Sequence, residues 1–314
     1  MKMREAVTTA LCVSTLSVCG LGSVALAQSG AVQSQSVVTV LSKNAESQPA
    51  LEAKDFKVQV NGKTAQISNV TPLRGDRAAL ELAVLIDGGA RNSLGRQLDD
   101  IQKFVQSLPP TTKVAISYMQ NGRAVFATPF TADKAAALKG LHLPGGMVGS
   151  SASPYFCISD LAKNWPSTDR DTRREAVVIT DGFDPYNPRF DPDDPYLQTA
   201  ISDAVKAGVV IHGIFWHDAG FASRTFAGTN TGQNLMSLVT DATGGYYYYQ
   251  GFGNPVSFSP FFADLERRLE NQYELNFLAP AKNTKPEVGS LKVKLEAPST
   301  KLTAADRVLL PPVE

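Results

Sequence analysis

Continuous apolar runs alternate with segments of helical period through the middle of the chain. The run Ala79–Ile86 is followed by apolar residues at helical spacing over residues 94–108. The run Ala176–Ile179 is followed in the same way by a helical pattern over residues 197–205. Strands that are apolar on both faces and alternate with helices are typical of a mainly parallel sheet with helices on both sides. The sequence therefore predicts a doubly wound α/β domain.

Two flanking regions have the two-residue period of strands instead. Phe56–Val60 alternates before Asn61-Gly62, the strongest short hairpin signal, and a return strand is expected over residues 63–70. Further strands are predicted at Val37–Leu41, Tyr273–Leu278, Ser290–Glu296 and Leu302–Leu310. We expect the N- and C-terminal segments to pack into one small β unit beside the α/β domain.

The first residues have the pattern of a secretory signal peptide. Lys2 and Arg4 precede an apolar stretch that ends in the small-x-small site Ala25-Leu26-Ala27. An uncleaved membrane anchor is the alternative, but serines and glycines interrupt the stretch, which makes it weak for a span. We therefore predict a secreted or periplasmic protein with no transmembrane anchor after leader cleavage.

The predicted domain boundaries follow from these patterns. Residues 28–35 consist of Gln, Ser, Gly, Ala and Val, a composition that favours a flexible tether. The predicted parts are a signal peptide 1–27, a tether 28–35, an N-terminal β segment 36–75, an α/β domain 76–272 and a C-terminal β segment 273–314.

The charge balance and the absence of certain motifs exclude several classes of function. The chain has 30 Lys+Arg against 30 Asp+Glu, so it lacks the basic field on which non-specific nucleic-acid binding depends. No Gly-x-Ser-x-Gly or Walker loop appears, and the three histidines do not have a zinc spacing. After leader cleavage Cys157 is the sole cysteine, which excludes an intrachain disulfide. We expect a protein that is not an enzyme and does not bind nucleic acid.

Two acids end predicted central strands. Asp87 follows Ile86, and Asp181 follows Ile179-Thr180. In an open α/β sheet, ligands bind beyond the carboxyl ends of the strands, at the point where the strand order reverses. We call that edge of the sheet, with the loops that leave it, the rim. Taken singly, either acid could merely cap the turn that follows it.

Taken with the order of elements, these residues resemble the von Willebrand factor type A (VWFA) domain, and more closely a related family abundant in acidobacterial exported proteins. The resemblance covers about Ser36–Leu310. It is carried by Leu51-Glu52-Ala53-Lys54-Asp55-Phe56, Asn61-Gly62, Asp87, Thr180-Asp181-Gly182, Thr243-Gly244-Gly245 and Gln272-Tyr273-Glu274-Leu275. It implies a Rossmann-like sheet in which the strands bearing Asp87 and Asp181 lie side by side.

The resemblance also implies a degenerate metal-ion-dependent adhesion site. Members of that superfamily often hold Mg²⁺ through Asp-x-Ser-x-Ser, a separate Thr and a second Asp. Here Asp87 and Asp181 match and Ser151 can stand in for the Thr, but Gly89 and Arg91 occupy the two serine positions. Asp87, Ser151 and Asp181 are thus the metal ligands that the resemblance leaves. Because Mg²⁺ requires near-octahedral oxygen ligation, we expect no cofactor of ordinary affinity, with Mg²⁺ as the one candidate.

Two alternatives concern the position that the metal ion would occupy. The guanidinium of Arg91 would replace the ion, since two carboxylates at one edge repel unless a positive charge lies between them. Alternatively, Ser93 would supply a hydroxyl through a shifted loop, with Ser150 as a substitute for Ser151.

The loop 184–195 follows Asp181-Gly182 directly and must lie on the same rim. It places Tyr186 and Phe190 beside charged residues, a composition suited to partner contact. A Ca²⁺ site from its acids is an alternative, although they lack the spacing of an EF-hand loop. These acids are Asp191, Asp193 and Asp194.

These observations together predict an exported, non-enzymatic module that binds a protein or an extracellular surface polymer through the rim. The alternatives are a metal-assisted hydrolase that uses the rim carboxylates and an inert structural component of the cell envelope. The predicted ligand-binding residues are Asp87, Arg91, Ser93, Ser150, Ser151, Asp181, Tyr186 and Phe190.

Overall fold

The computed structural model describes residues 30–313 except 44–49, 146, 148, 170–171 and 220–224. The predicted leader at residues 1–27 lies outside the described residues and stays a prediction. The strands are β1 Ala31–Ser42, β2 Phe56–Val60, β3 Lys63–Pro72, β4 Leu80–Asp87, β5 Thr112–Gln120, β6 Arg123–Phe126, β7 Arg173–Thr180, β8 Val209–Phe215, β9 Tyr247–Tyr248, β10 Gln272–Pro280, β11 Glu287–Leu295, β12 Thr300–Ala304 and β13 Arg307–Leu310. The helices are α1 Leu98–Ser107, α2 Lys134–Leu138, α3 Pro154–Lys163, α4 Pro195–Ala207, α5 Phe226–Thr243 and α6 Ser259–Leu269.

The strands β4 to β9 form one sheet in the order β6-β5-β4-β7-β8-β9. Its neighbouring strands are parallel except at the β5–β6 edge. Numbered along this domain, the order is 3-2-1-4-5-6, the doubly wound arrangement. The order reverses between β4 and β7, so these two strands lie side by side, as the resemblance implied.

Helices cover both faces of this sheet, which explains why its strands are continuously apolar. All of β4 is buried. Leu82 and Val84 pack with residues of α1 and α6, whereas Ala83 and Leu85 pack with residues of α3, α4 and α5. Full burial of one such large side chain contributes about 1.5–3 kcal/mol. The mainly parallel α/β domain predicted from the sequence is confirmed.

The terminal segments form a second sheet that is larger than the small β unit predicted. Seven antiparallel strands have the order β12-β1-β10-β3-β2-β11-β13 and enclose their own apolar core. The consecutive strands β12 and β13 lie at opposite ends of this order, although two residues join them, so the sheet is strongly curled. One continuous strand was predicted over Leu302–Leu310. The chain breaks there because the Asp306 amide donates to the carbonyl of Asp241 in α5, at 2.9 Å.

The flexible tether predicted over residues 28–35 is also corrected from Ala31 onward. Residues 31–35 belong to β1 and pair with β10. The Ser34 hydroxyl donates to the Leu309 carbonyl at 3.0 Å. A segment with little apolar surface is thus held by backbone pairing to a neighbour that is distant in sequence, a contribution that composition does not reveal.

Candidate functional site

The boundary between β4 and β7 brings Asp87 and Asp181 to the rim. Ile86 pairs with Ile179 in the parallel register, which places Asp87 beside Thr180 and Asp181 one residue further along β7. The two aspartates are 2% and 3% exposed. Both carboxylates therefore lie at the switch point of the sheet, but beneath its surface.

Protein donors hold the carboxylate of Asp87. Its Oδ1 accepts the Gly89 amide at 2.9 Å, and its Oδ2 accepts the Thr180 hydroxyl at 2.7 Å. Burial raises the pKa of Asp87, and hydrogen bonds from Gly89, Thr180 and Ser151 oppose that rise. The chain itself thus supplies hydrogen-bond donors to both oxygens.

Asp181 shapes the turn that leaves β7. Its Oδ1 accepts the amide of Phe183 at 3.0 Å, and Gly182 has a φ of +69°. The Tyr155 hydroxyl donates to the Gly182 carbonyl at 2.6 Å. A Cβ at position 182 would lie 2.5 Å from the Gly232 carbonyl oxygen, so glycine is required for space as well as for φ.

The place of a metal-binding serine is filled by backbone. A Cβ on Gly89 would lie 2.3 Å from the Ala219 carbonyl oxygen in the loop after β8. A Cβ on Gly88 would lie 2.2 Å from the Met119 carbonyl oxygen. No hydroxyl-bearing side chain fits at position 89 without a shift of that loop. In the described part of the chain, no three His, Cys, Asp or Glu side chains are arranged to hold a metal ion. These residues do not fit the octahedral oxygen shell that Mg²⁺ requires.

Arg91 does not take the place of an ion. It precedes a 3₁₀ helix over Asn92–Gln97, and its side chain is half-buried. Among the described residues it forms no ion pair within 4.0 Å with Asp87 or Asp181. The hypothesis that its guanidinium neutralises the two acids is therefore wrong.

Ser93 donates a hydrogen bond to an acid outside the predicted metal site. Its hydroxyl donates to Asp218 Oδ2 at 2.7 Å, and the Asn254 amide donates to the same oxygen at 2.8 Å. Burial alone would raise the pKa of Asp218, but hydrogen bonds from Ser93, His217 and Asn254 outweigh it and lower the pKa. The alternative in which Ser93 supplies a metal-binding hydroxyl through a shifted loop is thus not supported. The sequence analysis did not predict a role for Asp218. This acid follows the end of β8, much as Asp87 ends β4, and that position was the available signal.

Asp218, Ser93 and Arg91 border an open depression of about 490 Å³ on the rim. Ala90, Asn92, Pro144 and Gly145 complete its lining. The depression thus joins the loop after β4 to the glycine-rich loop before α3 and the loop after β8.

The serines of the loop before α3 close the site from the side. Ser151 and Ser153 are buried, and Ser153 Oγ accepts the Tyr155 amide at the start of α3. The Ser150 hydroxyl is buried without a hydrogen-bond partner among the described residues, next to Gly88. Ser150 and Ser151 therefore pack into the loop junction beneath the rim surface.

The acids of the loop 184–195 accept hydrogen bonds from backbone amides within the loop and at the start of α4. Asp191 Oδ1 accepts the amide of Asp193 at 3.0 Å. Asp194 Oδ1 accepts the amides of Tyr196 and Leu197 at 2.9 Å each, which caps α4. Because these carboxylates form a turn and a helix cap, the Ca²⁺ alternative is not supported.

Aromatic side chains are exposed on several loops of the rim. Tyr186 is 62% exposed and contacts Phe156, with ring centroids 5.3 Å apart. Phe226 is 71% exposed and contacts Phe252, with ring centroids 4.4 Å apart, and Val256 in the same loop as Phe252 is 94% exposed. Of the ten exposed large apolar residues in the described ranges, nine lie on the rim. They are Leu143, Met147, Tyr186, Phe190, Tyr196, Phe226, Tyr249, Phe252 and Val256.

Arginines predominate among the Lys and Arg residues of the rim. Its described loops comprise residues 88–97, 120–123, 139–145, 147, 149–153, 182–196, 216–219, 225–230 and 249–258. Within them lie one lysine, Lys139, and four arginines: Arg91, Arg96, Arg123 and Arg189. None of the four forms an ion pair with another described residue.

Comparisons with known proteins found similar solved structures but no matching sequence family. No protein-family model and no curated protein sequence matches the chain. An aerotolerance-related membrane protein from Bacteroides fragilis NCTC 9343 is similar in structure at 14% identity and a TM-score of 0.43; the match covers 61% of this chain and 98% of that one. The SpRpn10 VWA domain matches at 14% identity and a TM-score of 0.36, over 60% of this chain and 93% of that domain.

The pilus adhesin SpaC from Lactobacillus rhamnosus GG, in its open conformation, is similar at 8% identity and a TM-score of 0.44. That match covers 81% of this chain and 47% of SpaC, so the chain spans about half the length of the adhesin. In the described part of this chain, no helix combines the length and apolarity needed to cross a membrane. The strand order of β4–β9, with Asp87 and Asp181 at its switch point, gives this chain a doubly wound α/β domain.

Proposed function

We propose that the protein is a non-enzymatic module that binds another protein through the rim, without a metal ion. The observation that carries this proposal is the concentration of exposed apolar and aromatic side chains at one edge of the molecule. Exposed apolar patches are typical of interaction sites. Interface centres are also enriched in aromatic residues and arginine, both of which this rim presents.

The contacts at the switch point support metal independence. Asp87 already accepts hydrogen bonds on both oxygens, and the Ala219 carbonyl occupies the space beside Gly89. A carboxylate of the partner would therefore have no metal ion to coordinate. Contact through the exposed side chains above the switch point is the remaining mode of recognition.

The two alternative functions have less support. A metal-assisted hydrolase needs acids that are free to act on a substrate or water, whereas the carboxylates of Asp87, Asp194 and Asp218 cap turns, a helix and a loop junction. An inert envelope component has no need for rings such as Phe226 in solvent, because exposed apolar patches carry a risk of aggregation. We further propose that the protein is exported, in line with the leader pattern at residues 1–27.

Site-specific photocrosslinking tests this proposal. A photoreactive phenylalanine analogue is placed at Tyr186 or Phe252 on the rim and, as a matched control, at the exposed position Thr64 in β3. We expect the same partner protein to crosslink from both rim positions, with and without EDTA, but not from Thr64. The purified partner should then bind Tyr186→Ser protein at least about tenfold more weakly, the effect of losing a central aromatic contact. Crosslinks confined to Thr64, or loss of rim crosslinks in EDTA, would contradict the proposal.

A further inference from the structure

The rim arginines differ from several arginines of the protein body. Arg173 donates to the carbonyls of Leu269 and Ala78, and Arg268 pairs with Asp264 at 2.6 Å. The four rim arginines have no such partner among the described residues, and their side chains are exposed or half-buried. Their guanidinium groups therefore retain their full capacity to donate five hydrogen bonds each.

The exposed acids of the rim are fewer than its arginines. Asp87, Asp181, Asp184 and Asp194 are buried. The carboxylates with appreciable exposure are those of Asp191, Asp193 and Asp218. Among the described residues, none of these three forms an ion pair with a rim arginine. The rim thus presents to solvent four guanidinium groups and three carboxylates that are not paired with one another.

Two of the unpaired arginines are close to aromatic residues. Arg189 is in the same loop as Tyr186 and directly precedes Phe190. Arg123 follows Gly122, whose Cβ would lie 3.3 Å from the Cβ of Phe156. A carboxylate bound next to these rings is partly desolvated, which strengthens its hydrogen bonds to a guanidinium. Arginine suits this task better than lysine because its planar fork matches both carboxylate oxygens.

We infer that the partner surface recognised by the rim is an acidic protein segment, with Asp or Glu carboxylates on the arginines and apolar side chains on the rings. This inference rests on the proposed function and names the chemistry of the partner. A protein is favoured over an acidic polysaccharide because Val256, Met147 and Phe226 are exposed yet offer no hydrogen bond to a hydroxyl group. Side chains of a polypeptide complement such residues directly.

The probe for this inference is a random copolymer of L-glutamate and L-tyrosine, immobilised on a biosensor surface. The full-length protein is compared with the double variant R91E/R189E, with R91K/R189K, and with the control R77E. Arg77 is exposed, has no ion pair among the described residues, and precedes β4 at the end of the sheet opposite the rim. Polygalacturonate and a lysine–tyrosine copolymer are the comparison polymers.

We expect wild type and R77E to bind the glutamate–tyrosine copolymer equally and more weakly as salt increases. R91E/R189E should bind at least about tenfold more weakly, and R91K/R189K should show an intermediate loss, because charge remains without the bidentate fork. Melting temperatures of all variants should match, since neither arginine has a partner to lose. Equal binding by wild type and R91E/R189E would overturn the inference, and tighter binding to polygalacturonate would reassign the site to an acidic glycan.

The two proposals fail in distinguishable ways. If rim crosslinking succeeds but charge reversal leaves the affinities for the copolymer and the crosslinked partner unchanged, the rim binds protein without an acidic requirement. If no partner crosslinks from the rim, the protein-binding function itself is wrong.

Discussion

The Thr180 hydroxyl donates to Asp87 Oδ2 at 2.7 Å, across the boundary between β7 and β4. This bond joins the two strands at which the sheet reverses its order, and it satisfies an oxygen of an acid that is almost fully buried. The switch point of the sheet is therefore closed by the chain's own donors, and recognition moves to the side chains above it.

Replacement of Thr180 by Val should destabilise the protein by about 1–3 kcal/mol, because the isosteric change leaves a buried carboxylate oxygen without this donor. Urea unfolding at neutral pH measures the loss. The exposed Thr64 in β3 is the matched control, and Thr64→Val should change stability by no more than about 0.5 kcal/mol. Equal effects at the two positions would show that the Thr180 bond contributes nothing.

Gly89→Ser should destabilise the protein by about 3 kcal/mol, since the new Cβ would meet the Ala219 carbonyl oxygen at 2.3 Å. It should also fail to create a Mg²⁺ site. Gly253→Ser is the control, because the space around Gly253 is open. Denaturant unfolding and calorimetric titration with MgCl₂ provide the two measurements. A stable variant that binds Mg²⁺ would refute the steric account of this site.

Arg91→Ser should leave the free energy of unfolding within about 0.5 kcal/mol of wild type and should not permit Mg²⁺ binding, because Arg91 forms no ion pair with the buried acids. Arg173→Ser, which removes hydrogen bonds to the carbonyls of Leu269 and Ala78, should lower the melting temperature clearly. A melting temperature of Arg91→Ser that rises with Mg²⁺ would reinstate the ion-replacement hypothesis.

Two buried tyrosines should respond in opposite ways to loss of the hydroxyl. Tyr155 donates to the Gly182 carbonyl at 2.6 Å, so Tyr155→Phe should cost about 1–2 kcal/mol. The Tyr247 hydroxyl is buried without a hydrogen-bond partner in the described part of the chain, so Tyr247→Phe should be neutral or stabilising. Thermal unfolding of both variants tests the pair, and a larger loss at Tyr247 would contradict the assignment.

Asp87 and Asp100 should give pH dependences of opposite sign. Burial raises the pKa of Asp87, so its contribution to stability is greatest below its unfolded pKa and is lost as the pH rises through the folded pKa. For Asp100, burial is outweighed by hydrogen bonds from Ser257, Ser259 and the Phe258 amide, which lower its pKa. Its contribution is present above the unfolded pKa and is lost as the pH falls through the folded pKa.

The unfolding free energy of wild type minus that of Asp87→Asn should therefore fall as the pH rises above about 4. The same difference for Asp100→Asn should fall from about pH 4 downward. Urea unfolding over this pH range gives both differences. Parallel slopes for the two variants would show that their environments do not differ as described.

Local patterns predicted much of the architecture. Asn61 and Gly62 have φ values of +49° and +75°, the conformation of the tight hairpin expected from that dipeptide. The apolar run before Asp87 became the fully buried β4, because a strand covered on both faces strongly favours apolar side chains. The extent of the seven-stranded sheet was not predictable in this way, since its pairings join residues as distant as Ser36 and Leu275.

In the candidate site, too, some features were predictable from local sequence and others depended on tertiary packing. The sequence by itself determined that Asp87 and Asp181 end buried strands and that the loop after β7 presents Tyr186 and Phe190, because strand length and turn chemistry are local properties. Only the tertiary structure decided that the Ala219 carbonyl fills the space beside Gly89 and that Arg91 stays unpaired. Those outcomes depend on how three loops distant in sequence pack against one another, and no local pattern encodes the distance between them.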